Sequence, residues 1–114
     1  MIVMNNIEEL IPRKEDRIFC VKIGKIEREN LYEMVRKYWK AKLDRVSKAT
    51  HVLAIKNVIV VEVFAPEKWF YTKDPKWEGR VEFIGELDLD NEYIGKSVKS
   101  LLGNSRKEFR YINL

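Results

Sequence analysis

The stretch that decides the fold is His51-Val52-Leu53-Ala54-Ile55-Lys56-Asn57-Val58-Ile59-Val60-Val61-Glu62-Val63-Phe64. Two runs rich in β-branched residues, 52–55 and 58–64, flank a short polar break, and this pattern predicts a β-hairpin. Asn57 tolerates the positive φ of a tight turn, whereas Val58 is a poor second turn residue, so a bulge or a longer loop is the alternative. We expect Pro66 to close the second strand because proline donates no ladder hydrogen bond.

Four further segments outside the hairpin have strand character. The segment from Arg17 to Gly24 is β-rich and ends at a glycine, and residues 79–87 alternate apolar and polar side chains. Residues 70–72 are predicted to form a short strand, and residues 109–114 a closing strand. Together with the hairpin they predict five or six strands.

Helical spacing is found in three places. Asn30 is a candidate N-cap, and it precedes an apolar stripe at i, i+3, i+4 and i+7 that consists of Leu31, Met34, Val35 and Tyr38. A second helical turn, through residues 43–46, is expected to reach about Ala49, and residues 94–102 are predicted to form a short helix. The fold class is therefore α+β, a small bent sheet or barrel of five or six strands with one or two helices after the first strand.

Length and composition predict a single domain over residues 1–114, in which residues 1–16 form a peripheral segment or a short helical face. With 46% apolar and 35% charged residues, the 114-residue chain can bury a core. It lacks the ~20 uninterrupted apolar residues of a membrane span. The absence of a leader pattern and the lone Cys20, expected to be a buried structural thiol, favour the cytoplasm. The absence of Gln together with abundant Lys and Glu is typical of a thermophile.

Charge is distributed unevenly along the chain. Residues 1–94 hold 17 basic and 17 acidic residues, whereas residues 95–114 hold five basic residues against Glu108 alone. A second basic stretch, 36–48, has six cations against Asp44, and residues 82–92 have five carboxylates and no cation. Segregated charge produces a directional field whose usual partner is a polyanion, so the sequence predicts a nucleic-acid partner, RNA or DNA.

The candidate binding residues are cations that would contact phosphates and aromatic residues that would stack on a base. They are Arg36, Trp39, Lys40, Lys42, Arg45, Trp69, Tyr71, Arg80, Lys96, Arg106 and Arg110. Base stacking on an aromatic ring is worth ~1–3 kcal/mol, and a planar guanidinium suits bidentate phosphate or guanine contacts.

Each candidate has a structural alternative. Trp39 is predicted on the shoulder of the first helix, where a core or rim role competes with stacking. Trp69 is either a base-stacking wall with Trp77 and Tyr71 or a plug at one end of the barrel. Arg80 and Arg110 either face a shared groove or form structural ion pairs with nearby glutamates.

The sequence contains no motif of a catalytic, metal or cofactor site. His51 is the single histidine and is expected to begin a strand as a partly buried hydrogen-bonding residue, so no Cys/His zinc site or histidine triad can form. Tyr93-Ile94-Gly95-Lys96-Ser97 lacks the earlier glycine of a Walker A loop, where Asp90 stands. Carboxylates such as Asp88 and Asp90 are best interpreted as a solvated acidic face. We therefore expect a non-enzymatic protein without cofactor or metal.

Several short motifs together resemble a family of small, largely uncharacterised prokaryotic proteins. The motifs are Lys37-Tyr38-Trp39-Lys40, Ala49–Ile55, Val61–Phe64 before Trp69, Gly79–Gly85, Tyr93–Val98 and Arg110–Asn113. Their layout is similar to the PUA-like superfamily, whose ASCH, EVE and YTH branches are small β-barrels that mostly bind RNA or modified bases. The resemblance covers residues 17–114 and implies a barrel that binds single-stranded nucleic acid or a flipped or modified base.

Two other functions remain open at the level of sequence. One is a protein–protein module, a homodimer in which the acidic stretch 82–92 of one chain meets the basic tail of another. The other is a small-ligand or hydrolytic site in a cleft around Trp69, Arg80 and Lys96. The main hypothesis remains a nucleic-acid-binding module with a basic groove and aromatic stacking.

Overall fold

The predicted hairpin lies at the centre of a six-stranded mixed sheet, and its two strands are paired in antiparallel orientation. The computed structural model describes residues 7–23, 32, 35–103 and 109–114. The strands are β1 (Ile18–Lys22), β2 (Lys37–Trp39), β3 (His51–Lys56), β4 (Ile59–Tyr71), β5 (Val81–Leu87) and β6 (Phe109–Ile112). Two four-residue helices, α1 (Leu43–Val46) and α2 (Lys99–Leu102), and a 3₁₀ turn at Pro75–Trp77 complete the elements.

The sheet has the order β2-β5-β4-β3-β1-β6. Strand β1 runs parallel to β3, and all other neighbours are antiparallel. A parallel pair needs a crossover connection, and here that connection carries β2 and α1. The predicted class, a small α+β domain with a bent sheet and short helices, is confirmed at this level.

The second hairpin strand is longer than the sequence pattern predicts. Pro66 does not end it, because a register shift between Pro66 and Lys68 interrupts the ladder at the proline and lets β4 continue to Tyr71. The short strand predicted at 70–72 is therefore the end of β4. Opposite Pro66 lies Gly85, where a Cβ atom would come within 2.3 Å of the Ala65 carbonyl oxygen.

The helix predicted after Asn30 is wrong in its second half. Tyr32 and Val35 have helical backbone, but Lys37–Trp39 is a strand paired with β5. Strand pairing with β5 in the folded protein outweighs the helical spacing of the apolar residues. Aromatic residues such as those at 38 and 39 are also favoured in strands. Leu31 and Met34 lie outside the described residues. The predicted helix at 94–102 is confirmed only in its last four residues, α2.

The sheet curls strongly without closing into a barrel. Strands β2 and β6 are its outer strands and are not paired with each other. Five strand spacings along a flat sheet would separate them by about 24 Å, yet the rings of Trp39 on β2 and Phe109 on β6 lie 6.2 Å apart. The two ends of the sheet therefore meet through side chains alone.

Each face of the curled sheet carries its own core. The concave face holds an aromatic cluster that includes Phe19, Phe64, Trp69 and Phe83. The convex face is covered by Leu10 from the N-terminal segment and by Tyr93, Val98 and Leu102 from the segment before and within α2. No helix within the described residues is long and apolar enough to span a membrane.

Candidate nucleic-acid interface

Arg36 is held inside the fold by a carboxylate. Its guanidinium lies 2.9 Å from Glu82 Oε1, and both side chains are largely buried, with 13% and 11% exposure. Arg36 Nε also donates to the Phe83 carbonyl at 3.1 Å. This pair neutralises the charge of Arg36, which thus has the structural ion-pair role that the sequence analysis considered for other arginines.

The two tryptophans expected to stack on a base both pack into the concave core. Trp39 is on a strand and not on a helix; its Nε1 donates to the Val35 carbonyl at 2.6 Å, and its ring meets Phe19 edge-on at 6.1 Å. Trp69 is buried between Phe19 at 5.3 Å and Phe83 at 4.8 Å. Its indole N–H has no acceptor among the described residues. This burial favours the packing role for Trp69.

The early basic stretch and the tail strand lie against each other. The Arg45 guanidinium stacks on the Tyr111 ring at 3.7 Å and donates to the Leu114 carbonyl oxygen at 2.9 Å. Lys42 lies at the start of α1, and its backbone forms a hydrogen bond with the Tyr111 side chain. Burial raises the pKa of the Tyr111 phenol. Within the described part of the chain, no ion pair includes Lys40, Lys42 or Arg45.

One end of the sheet brings aromatic residues and cations together. Val81 pairs with Tyr71 on one side and with Trp39 on the other. Lys40, which follows Trp39, and Arg80, which precedes Val81, therefore lie at adjacent strand ends. Tyr71 is 57% exposed, and the Arg80 guanidinium lies 5.2 Å from the Trp77 ring.

We call this surface the basic rim. It consists of Lys40, Lys42, Arg45, Tyr71, Trp77 and Arg80, with Lys73 and Lys76 in the intervening loop. Three exposed or half-buried carboxylates, Asp44, Asp74 and Glu78, lie in the same segments, so six cations outnumber them. Local excess positive charge beside an accessible ring is the arrangement that binds single strands.

The remaining candidate cations lie elsewhere. Lys96 is at the hairpin end of β4, where its carbonyl accepts from Val60 N, and its Nζ lies 3.6 Å from Glu8. Arg110 pairs with Cys20 across β1 and β6 and alternates with Phe109 and Tyr111, so it faces the convex side. Arg106 lies outside the described residues. Lys96 and Arg80 are at opposite ends of β4 and do not line one cleft.

The acidic stretch 82–92 is partly neutralised within the chain. Glu82 pairs with Arg36, and Glu92 Oε1 lies 2.5 Å from an Arg13 guanidinium nitrogen. Asp88 accepts a hydrogen bond from the Asn91 amide at 3.0 Å. Glu86 and Asp90 remain exposed.

Sequence reasoning did not identify Tyr111 as the residue on which Arg45 of the basic rim stacks. The sequence shows only that Tyr111 lies in a tail rich in cations. The fold shows that Arg45, which is 66 positions earlier in the chain, stacks on its ring. The cluster of Asp16, His51 and Tyr93 was missed for the same reason, since its members come from three distant segments.

Two further kinds of side-chain site concern the thiol and the metal-ligating residues. Burial raises the pKa of Cys20 to about 12, which keeps the thiol protonated and unreactive. Within residues 7–23, 32, 35–103 and 109–114, no group of three His, Cys, Asp or Glu side chains could hold a metal ion.

No family model, curated protein or solved structure matches this chain in comparisons with known proteins.

Proposed function

We propose that this chain is a nucleic-acid-binding domain that holds single-stranded RNA or DNA along the basic rim. The observation that carries the proposal is the strand pairing, which places Tyr71, an exposed ring, and Trp39 on either side of Val81. Lys40 and Lys42 follow Trp39 in the sequence, are exposed, and form no ion pair with a described carboxylate. The cations would neutralise phosphates, and the ring would receive a base.

A single strand is favoured over a duplex by the elements that form the rim. Reading of the major groove requires an inserted helix or a two-stranded ribbon. The helix beside the rim, α1, has only four residues, and the end of β4 is integrated in the sheet. An unstacked base, by contrast, needs only an accessible ring and nearby cations.

We also propose, from shape, that the domain is related to the PUA-like barrels. The curl that brings Trp39 and Phe109 together and the mixed strand order support this relationship. A flipped or modified base is the ligand that the relationship favours. Binding in this proposal needs no reaction at the site.

Charge reversal on and off the rim tests the proposal. We expect Lys40→Glu/Lys42→Glu to lower the affinity for a fluorescein-labelled oligouridylate by at least about tenfold, measured by anisotropy at constant salt. Two lost phosphate contacts should also reduce the slope of log K against log salt by about 1.4. The matched control is Lys14→Glu/Lys56→Glu, which changes the net charge equally at exposed positions outside the rim.

The control should lose less than about threefold, because long-range charge alone is largely screened in physiological salt. Equal losses in the two double variants would assign the affinity to net charge and contradict a rim site. Wild-type binding that does not change with salt would contradict phosphate contacts altogether.

A further inference from the structure

An apolar pocket lies at the hairpin end of the sheet, at the opposite end of β4 from the basic rim. It has a volume of about 230 Å³ and opens between the end of β1, the hairpin turn and the end of α2. Its apolar walls come from Ile23, Ile55, Val58 and Leu102. Because this volume is below the range of small-ligand pockets, the pocket is of a size for one or two apolar side chains.

Lysines border this pocket. Lys22 lines it, Lys56 precedes the hairpin turn, and Lys99 begins α2, where its carbonyl accepts from Gly103 N at 2.8 Å. Lys56 and Lys99 are exposed and form no ion pair within the described part of the chain. No described carboxylate lines the pocket. An apolar side chain accompanied by carboxylates is therefore the complementary partner.

The same chain presents such a segment in the turn after β5. Residues 86–90 alternate carboxylates with leucines in the order Glu-Leu-Asp-Leu-Asp, and we call this segment the acidic turn. Leu87 is 43% exposed and Leu89 is 72% exposed. Glu86 and Asp90 are exposed and form no ion pair with any described residue. The acidic turn therefore offers large apolar side chains between unpaired carboxylates.

Hydrogen bonds hold the acidic turn in place. Asp88 N donates to the Val63 carbonyl at 2.8 Å, and the Asn91 amide donates to the Asp88 carboxylate at 3.0 Å. Tyr93 N donates to the Asn91 side-chain oxygen at 2.9 Å. Leu89 thus extends into solvent from an ordered turn, so its burial against a partner needs little further ordering of the backbone.

The acidic turn and the pocket lie along the same edge of the second hairpin strand. The Val63 carbonyl bonds the acidic turn, and five residues earlier the Val58 carbonyl, at the pocket, accepts from Val98 N at 2.8 Å. Five residues of extended chain span about 16 Å, so the two surfaces are neighbouring but separate.

A twofold axis repeats each contact between two copies, because residue i of one copy meets residue j of the other and the reverse. We propose that this chain forms a symmetric dimer in which Leu89 of each copy enters the pocket of the other. The carboxylates of the acidic turn then face the lysines that border the pocket.

Sedimentation equilibrium of the full chain tests the proposal. The contact involves few residues, so we expect a weak dimer with a dissociation constant of about 10–100 μM in low salt, which dissociates further as salt is raised. Leu89→Ser removes the inserted side chain and should weaken the dimer at least about tenfold. The matched control is Ile11→Ser, at an apolar residue that is 81% exposed and belongs to neither surface, and it should leave the dissociation constant unchanged.

Exchange of charge tests the contact between lysines and carboxylates. Lys99→Glu and Asp90→Lys should each weaken the dimer about fivefold, whereas Lys99→Glu/Asp90→Lys should return it to within about threefold of the wild type, because the exchanged charges attract again. Both positions are exposed, and circular dichroism checks that each variant is folded.

Three results would overturn the proposal: a wild-type protein that stays monomeric at roughly 1 mM, equal weakening by Leu89→Ser and Ile11→Ser, or a double charge variant no tighter than the single ones. A monomer that binds a synthetic peptide of residues 86–91 would also overturn it and would assign the pocket to another protein with such a segment. Neither surface includes a rim residue. At protein concentrations below the dissociation constant of the dimer, Lys14→Glu/Lys56→Glu remains a matched control for the rim.

Discussion

At the scale of single residues, the same residue type has opposite roles depending on its partner. Arg36 and Arg45 belong to one basic stretch, yet Arg36 is buried against Glu82, whereas Arg45 is exposed and stacked on Tyr111. The sequence indicates the excess of cations but not their partners, because the partner of Arg36 is 46 residues away. In the proposed function, the phosphate contact that the sequence predicts for Arg36 is therefore assigned to its exposed neighbours Lys40 and Lys42.

A double-variant comparison tests the structural role of Arg36. Arg36→Met leaves the buried Glu82 carboxylate without its partner, so we expect a loss of about 3 kcal/mol in the free energy of unfolding. Arg36→Met/Glu82→Leu should recover most of this loss, because the unpaired charge is then removed. Urea denaturation followed by circular dichroism measures both. A single variant as stable as the wild type would show that the pair contributes nothing.

Cys20 provides a test of burial in the convex core. Its pKa rises from 9.0 to about 12 on folding, chiefly through burial. The stabilisation associated with the protonated thiol is complete below pH 9 and is lost as the pH rises toward 12, because the unfolded thiol ionises first. We expect the folded protein to react slowly with Ellman's reagent at pH 8 and the urea-unfolded protein to react at once. Equally fast reaction in both states would place the thiol at the surface.

At the scale of elements, periodicity predicts the strands well and the helices poorly. The hairpin strands and β5 follow from β-branched runs and alternation, since a half-buried strand needs that pattern. The spacing of Val35 and Tyr38 also fits a helix, but Lys37–Trp39 pairs with β5, and no local signal reports a ladder partner more than 40 residues away. Likewise, the bulge after Pro66 depends on the glycine that lies opposite it.

The hairpin turn makes a prediction at this scale. Asn57 and Val58 have φ values of 50° and 59°, as expected of a two-residue turn whose two central residues are left-handed. A β-branched residue is strained in this conformation, by about 1–2 kcal/mol. We expect Val58→Gly to raise the free energy of unfolding by about 1 kcal/mol, measured by urea denaturation. Asn57→Gly is the control and should change it less, since asparagine tolerates a positive φ. If Val58→Gly is less stable than the wild type, the packing of the half-exposed valine side chain stabilises the fold by more than the strain of its backbone destabilises it.

At the scale of the whole molecule, the curl of the sheet determines which residues share a surface. It brings β6 toward β2 and places the basic stretch after β2 against the tail strand. Composition predicts that two basic segments exist, and it predicts a polyanion as their partner. It does not predict that Lys96 and Arg110 lie away from the rim, because strand alternation and strand order decide that. The pocket at the hairpin end is likewise formed only by the fold.

Ultraviolet cross-linking of the wild-type protein to a labelled oligouridylate, followed by mass spectrometry of the cross-linked peptides, tests the central proposal most directly. The rim account predicts that the main cross-link maps to the peptide containing Tyr71, and that Tyr71→Ala removes it and weakens binding by about 1–3 kcal/mol, while Tyr71→Phe keeps both. Cross-links confined to the convex side, at the peptide containing Arg110 or Lys96, would contradict it.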